Sequence, residues 1–203
     1  MEAVILAAGK GTRMRTELPK VLHAALGKPV LGYVLDTLAE VGVKRIFAVV
    51  GYKAGLVKCF LKKYNVRPLL QSEQKGTGHA VIVAKAALKG AKGPVLVWPG
   101  DMPLVKAETL KKFMAAHEKC GSHASVLSAV AGCPKGYGRI VREGGKFTAI
   151  REELDATEEE RLISEINTGI YLFDPKALFK ALGKIGSDNK KGEYYLTDTI
   201  EVL

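Results

Sequence analysis

The sequence predicts an α/β fold: a mostly parallel central sheet with helices on both faces and a small β-hairpin lobe. Two observations carry this. Short apolar runs alternate with amphipathic helical patterns through the first 130 residues, and this order builds parallel sheets. The texture then changes to shorter, turn-rich strands around Gly144-Gly145. No internal repeat and no linker interrupts the chain, so a single domain over residues 1–203 is expected.

The elements follow in order. Ala3–Ala7 reads as a buried strand closed by Gly9 and Gly11. Leu31, Val34, Leu35, Leu38 and Val41 share one helical face, which Gly42 ends. Arg45–Val50 is a second strand and Leu56–Leu61 a helix. Val66–Gln71 is a third strand, and His79–Leu88 an alanine-rich helix. Pro94–Trp98 is a fourth strand, ending at Pro99-Gly100-Asp101. Glu108–Ala116 is helical and Ala124–Val130 a strand. Gly138–Glu143 and Lys146–Arg151 flank the Gly-Gly hairpin turn. Glu158–Arg161 is a charged helical turn and Glu165–Phe173 a strand. Asp174-Pro175 opens a helix with a cap and an N1 proline. Thr197–Leu203 begins another, which reads as cut short.

Composition narrows the class. With 47% hydrophobic and 26% charged residues the chain can bury a core, which argues against wholesale disorder. No apolar run approaches the ~18 residues of a membrane span. No basic leader follows Met1, so no signal peptide is read. Cys59, Cys120 and Cys133 are odd in number and far apart, which fits reduced thiols in a cytoplasm better than zinc or disulfides. The net charge of +10 suits an anionic partner. Lys62-Lys63, Lys111-Lys112 and Lys190-Lys191 are separate pairs without interleaved aromatics, so solvated faces are expected rather than a nucleic-acid groove.

The informative segment is Leu6-Ala7-Ala8-Gly9-Lys10-Gly11-Thr12-Arg13-Met14, directly after the first strand. Ligands of open α/β sheets bind at the carboxyl ends of strands. Glycines there allow close backbone approach, and successive N–H groups can cradle phosphate. Arg13 adds a bidentate fork and Lys20 a point charge. The dinucleotide fingerprint fails because Met14 stands where its third glycine belongs. The Walker A pattern fails because Gly11, not Ser or Thr, follows Lys10.

With Leu18-Pro19-Lys20, this run resembles the signature of sugar-1-phosphate nucleotidylyltransferases. Further blocks, in order along the whole chain, resemble one branch: Gln71–Ala80, Gly100–Leu104, Gly136–Ile140, Asp155–Thr157, Glu165–Ile170 and Gly192–Asp198. That branch is the N-acetylglucosamine-1-phosphate uridylyltransferase half of bacterial bifunctional uridylyltransferase/acetyltransferases. The resemblance implies a Rossmann-like nucleotidyltransferase fold. It also implies UTP and N-acetylglucosamine 1-phosphate as substrates, joined by in-line attack with Mg²⁺ as cofactor.

The resemblance also implies roles. Leu6, Ala7, Ala8 and Gly9 line the uridine, while Gly11, Thr12 and Arg13 hold the triphosphate. Lys20 neutralises charge where the two phosphates meet, so Arg13 and Lys20 are the catalytic candidates. Gln71, whose amide can donate and accept, matches the uracil edge, with Gly76 and Thr77 beside it. Asp101 is the expected Mg²⁺ ligand. Gly138, Glu152, Asn167, Tyr195 and Thr197 are the expected sugar-binding positions. His79 reads as structural, because an already ionised phosphate oxygen needs no general base. Pro99 stands where the family commonly has tyrosine, so that ring's contact is lost or passes to Trp98.

The resemblance further implies a longer parent. Its uridylyltransferase domain would be completed beyond Leu203, where a second metal ligand is expected, and a β-helix acetyltransferase would follow. No hexapeptide repeats of that kind occur here, so the oligomeric state stays open. A related enzyme for another sugar or base, or a nucleotide-sugar-binding fragment with little activity, are the alternatives.

Overall fold

The computed structural model describes residues 1–203. Eight strands form one sheet: β1 (Glu2–Ala7), β4 (Arg45–Val50), β5 (Val66–Leu70), β6 (Val95–Pro99), β7 (Ala124–Val130), β8 (Arg139–Glu143), β9 (Lys146–Arg151) and β10 (Glu165–Phe173). The missing numbers belong to a two-stranded ribbon, β2 (Ala24–Ala25) and β3 (Lys28–Pro29), which the sequence reading did not foresee. The order is β5-β4-β1-β6-β10-β8-β9, with β7 also paired to β10.

β5, β4, β1 and β6 are parallel. β10 runs against β6, and β7 and β8 run against β10, so they share the first four strands' direction. Only β10 and β9 point the other way, so the sheet is mostly parallel.

The apolar runs are continuous because both faces of these strands are buried. Along β1, Ala3, Ile5 and Ala7 enter one core, while Val4 enters the other. β6 divides likewise, Leu96 and Trp98 against Val95 and Val97. Leu31, Val34, Leu35 and Leu38 of α1 (Val30–Val41) pack on the first face. Val57 and Leu61 of α2 (Ala54–Leu61) and Leu110 of α4 (Ala107–Cys120) join them. α3 (Thr77–Ala84), α6 (Pro175–Leu182) and α7 (Asp198–Val202) cover the second face through Val81, Leu178 and Ile200.

Helix ends follow local chemistry. Gly42 ends α1 in the left-handed conformation, as expected from sequence. Asp174 caps α6, its carboxylate accepting from the Ala177 N–H at 2.8 Å. A capping box between Thr157 and Glu160 starts α5 (Glu158–Arg161). α3 differs from expectation: it begins at Thr77 and ends at Ala84, with turns continuing to Gly90. Gly144 and Gly145, both at positive φ, turn β8 into β9.

The chain runs outward from β1 on both sides, to β4 and β5 on one and later to β6 on the other, which makes a switch point between β1 and β6. Loops after β1, β5 and β6 therefore open onto one cleft at the carboxyl edge. No helix is long and apolar enough to cross a membrane.

Candidate active site

Two adjoining cavities occupy that edge. The first, about 310 Å³, is lined by Leu6, Ala7, Ala8, Gly9, Gly11, Lys20, Gln71, Gly76, Thr77 and Asp101. The second, about 200 Å³, is lined by Gly138, Glu152, Asn167 and Thr197. Leu6, Thr77 and Pro99 border both. A ligand spanning the two would cross the ends of β1 and β6.

The glycine loop is built for close approach. Gly11 holds φ +70°, and a Cβ there would stand 2.6 Å from the Lys20 Cβ. Only glycine lets the loop lie against Lys20. The Lys20 ammonium pairs with Asp101 across the cleft floor. Thr12 and Arg13 lie on a single exposed 3₁₀ turn, Thr12–Met14, and line neither cavity. Apart from those two, the expected nucleotide-side and metal residues come together.

Gln71, just past β5, is only 2% exposed. Gly76 holds φ +100°, and a Cβ on it would meet the Tyr194 carbonyl at 2.6 Å. Tyr194 also closes on this loop through its own N–H to the Lys75 carbonyl at 2.9 Å, and its carbonyl accepts from the Gly78 N–H at 2.8 Å. The Thr77 hydroxyl accepts from the Leu196 N–H at 3.0 Å. The first cavity is thus laced to the segment that carries Thr197.

In the second cavity the polar groups hold one another. Asn167 donates to the Tyr171 hydroxyl at 2.7 Å and accepts from the Gly169 N–H at 2.8 Å. A bulge in β10 between Asn167 and Ile170 turns this stretch into the cavity, with Gly169 at φ +82°. The Gly138 carbonyl accepts from the Asn167 N–H at 2.8 Å. Thr197 donates to Glu152 at 3.4 Å. Burial holds the Glu152 carboxyl above the usual carboxylate range.

Two expectations place differently. Tyr195 lines a neighbouring acidic pocket of about 210 Å³ with Asp155, Asp198 and Glu201, which shares Glu152 with the second cavity, and Tyr195 itself does not line that cavity. Burial pushes its phenol up, with Asp155 adding to the effect. Leu196 and Thr197, its neighbours, face the cavity instead. Trp98 is fully buried in the core and donates to the Met102 carbonyl at 3.3 Å, so it does not replace the missing tyrosine contact. Strand alternation decides this: Trp98 points into the first core, while Pro99 borders both cavities.

Sequence reasoning missed Gln74, Tyr171 and Glu193 as lining groups. Gln74 and Glu193 stand inside blocks quoted for the resemblance. Tyr171 sits in a run that reads only as strand.

A doubly covered α/β sheet with a glycine loop, a lysine–aspartate pair and two joined cavities at its carboxyl edge defines a nucleotidyltransferase-class domain. Residues 3–195 match the MobA-like NTP transferase domain family, and the chain belongs to it. It is 45% identical over 201 residues to the bifunctional protein GlmU of Clostridium botulinum, covering 99% of this chain and 44% of that protein. It is 50% identical over 201 residues to GlmU of an Exiguobacterium species, covering 98% and 44%. The chain thus spans less than half the length of these relatives. The fold is also that of UDP-glucose pyrophosphorylase, solved in complex with UDP-glucose. That match has a TM-score of 0.81 at 20% identity and covers 99% of this chain and 85% of the other.

Proposed function

We propose that this domain transfers uridylyl from UTP to N-acetylglucosamine 1-phosphate, releasing pyrophosphate and giving UDP-N-acetylglucosamine. The observation that carries this reading is the pair of joined cavities. One offers a buried amide and glycine backbone, the other a half-buried carboxylate and amide, and Lys20 and Asp101 line the first. The similarity to GlmU proteins along nearly the whole chain supports the choice of substrates.

An oxygen of the sugar phosphate attacks the α-phosphorus of UTP. The bond from that phosphorus to the β-phosphate oxygen breaks, and pyrophosphate leaves with its electron pair. The attacking oxygen is already ionised, so no side chain needs to take a proton. The protein's work is positioning and charge stabilisation. Gln71 and Gly76 hold the base, and Gly9 and Gly11 let phosphate oxygens approach backbone N–H groups. Lys20, freed from Asp101 as phosphate enters, follows the negative charge. Arg13, on its exposed turn, closes over the leaving pyrophosphate. Glu152 and Asn167 receive the sugar and its acetamido group.

The donor set also suits Mg²⁺. Asp101 is a carboxylate at the end of β6 in the first cavity, and this ion commonly takes one or two carboxylates with substrate oxygens and water. Asp101 would hold it, and the bound ion would supply charge neutralisation at the phosphates.

The test is pyrophosphate release across a panel of nucleotides and sugar 1-phosphates. Release with UTP and N-acetylglucosamine 1-phosphate above every other pair is expected. A better pair would change the substrate, and binding without turnover would make the domain a nucleotide-sugar-binding module.

A further inference from the structure

Gln71 is almost completely enclosed, and all but one of its polar atoms has a partner within the chain. Its N–H donates to the Val50 carbonyl at 2.8 Å. Its backbone carbonyl accepts from Gln74 Nε2 at 2.9 Å. Its side-chain Nε2 lies 3.2 Å from the Gly76 carbonyl and 3.0 Å from His79 Nδ1. A carbonyl only accepts, so the Gln71 atom beside Gly76 must be the nitrogen. Its second hydrogen then points to His79 Nδ1, which must accept. No group of the chain donates to Gln71 Oε1, and the residue lines the nucleotide-side cavity.

We propose that His79 is a positioning residue: by accepting from Gln71 Nε2 it fixes the amide so that Oε1 alone faces the base, which selects a donor edge.

The chemistry distinguishes bases directly. Uracil carries a hydrogen on N3 and meets a carbonyl oxygen well. Cytosine carries a lone pair on N3, and an oxygen there repels it. A flipped amide would reverse this preference. Flipping sets Oε1 against the Gly76 carbonyl and gives up both Nε2 bonds. Gly76 alone would leave the amide on one hydrogen bond at 3.2 Å. His79, on the first turn of α3 and beside the Tyr194 ring at 6.4 Å between centroids, adds the second bond. Since Nδ1 accepts, the ring proton lies on Nε2.

The base preference rests on the function proposed above; the tautomer does not. Nitrogen-15 NMR of the ligand-free protein should show His79 as the Nε2–H tautomer with Nδ1 in its acceptor range. An Nδ1–H tautomer overturns the proposal whatever the enzyme does. UTP and CTP binding are then compared by calorimetry in wild type, His79→Leu and His79→Asn. Wild type should prefer UTP. His79→Leu should lose about tenfold of that preference, the scale of one hydrogen bond. His79→Asn, which restores an acceptor, should recover most of it. A merely structural histidine would weaken both nucleotides alike and leave the ratio unchanged. An unchanged ratio in His79→Leu, or no rescue by His79→Asn, overturns the proposal. Wild type without preference between UTP and CTP overturns its specificity claim. Failure to bind either nucleotide with the tautomer intact instead sinks the proposed function.

Discussion

The two cavities at the carboxyl edge use opposite strategies. On the proposed nucleotide side, recognition would rest on backbone made accessible by glycine, on Lys20 paired with Asp101, and on one free amide oxygen. On the proposed sugar side, Asn167 is bonded to Tyr171 and Thr197 to Glu152 before any ligand arrives. The first side is poised for charge that moves during reaction. In the proposed reading, the second is a pre-set shape for neutral hydroxyls. Substitutions at the charged groups of the first side should therefore act on turnover, and substitutions on the second side on sugar affinity.

The largest effects are expected at the charge pair. Asp101→Ala should reduce pyrophosphate release by at least about 10³-fold, and chelating divalent cations should do the same to wild type. Lys20→Ala should lower kcat by about 10²–10³-fold with an unchanged melting temperature. Steady-state kinetics beside a melting curve reads both. Near-normal turnover in Lys20→Ala would break the contrast between the cavities.

Two glycines sharpen it next. Gly76→Ala puts a Cβ 2.6 Å from the Tyr194 carbonyl at a left-handed φ. It should cost about 1–3 kcal/mol of stability by chemical denaturation and weaken both substrates, since this loop laces the two sides. Gly9→Ala meets nothing within 4 Å, so stability should change by less than about 0.5 kcal/mol. Its methyl group would narrow only the nucleotide path and raise KM for UTP alone.

On the sugar side, Glu152→Gln should raise KM for the sugar phosphate with little change in KM for UTP. The smallest effect lies beyond both cavities. Burial first, then Glu201 and Glu152, raise the Asp198 carboxyl to about 6. The folded state holds a proton there that the unfolded chain releases. The stability tied to that proton is complete below the usual carboxylate pKa and is lost as pH rises through about 6. Asp198→Asn should therefore be more stable than wild type by about 1 kcal/mol at pH 7.5, and the gap should close toward pH 4. Melting curves at both values check this.

How much was legible follows the same division. Ala124–Val130, Lys146–Arg151 and Glu165–Phe173 are readable to the residue, because their apolar or alternating runs stand out from the turn and helix signals around them. The glycine loop and Lys20 announced themselves through residue type. The β2–β3 ribbon did not, since it turns through Leu26 and Gly27 at positive φ and is only two residues deep. Side-chain direction was the harder matter. Tyr195 and Thr197 looked equivalent in sequence, yet the turn into α7 sends one to an acidic pocket and the other to the sugar side. His79 read as structural because its importance lies in a contact eight residues away, which no spacing rule exposes.

The most direct test of the two-cavity account is a crystal structure of the chain with UDP-N-acetylglucosamine. The account predicts uracil against Gln71 and Gly76, the diphosphate beside Lys20 and Asp101, and the sugar against Gly138, Glu152 and Asn167. The competing location is the larger cavity of about 930 Å³ at the opposite edge of the sheet, lined in part by Lys92, His117, His123 and Lys176. A nucleotide sugar seated there, or one crossing the carboxyl-edge cleft with its sugar end at Gln71, would contradict the account.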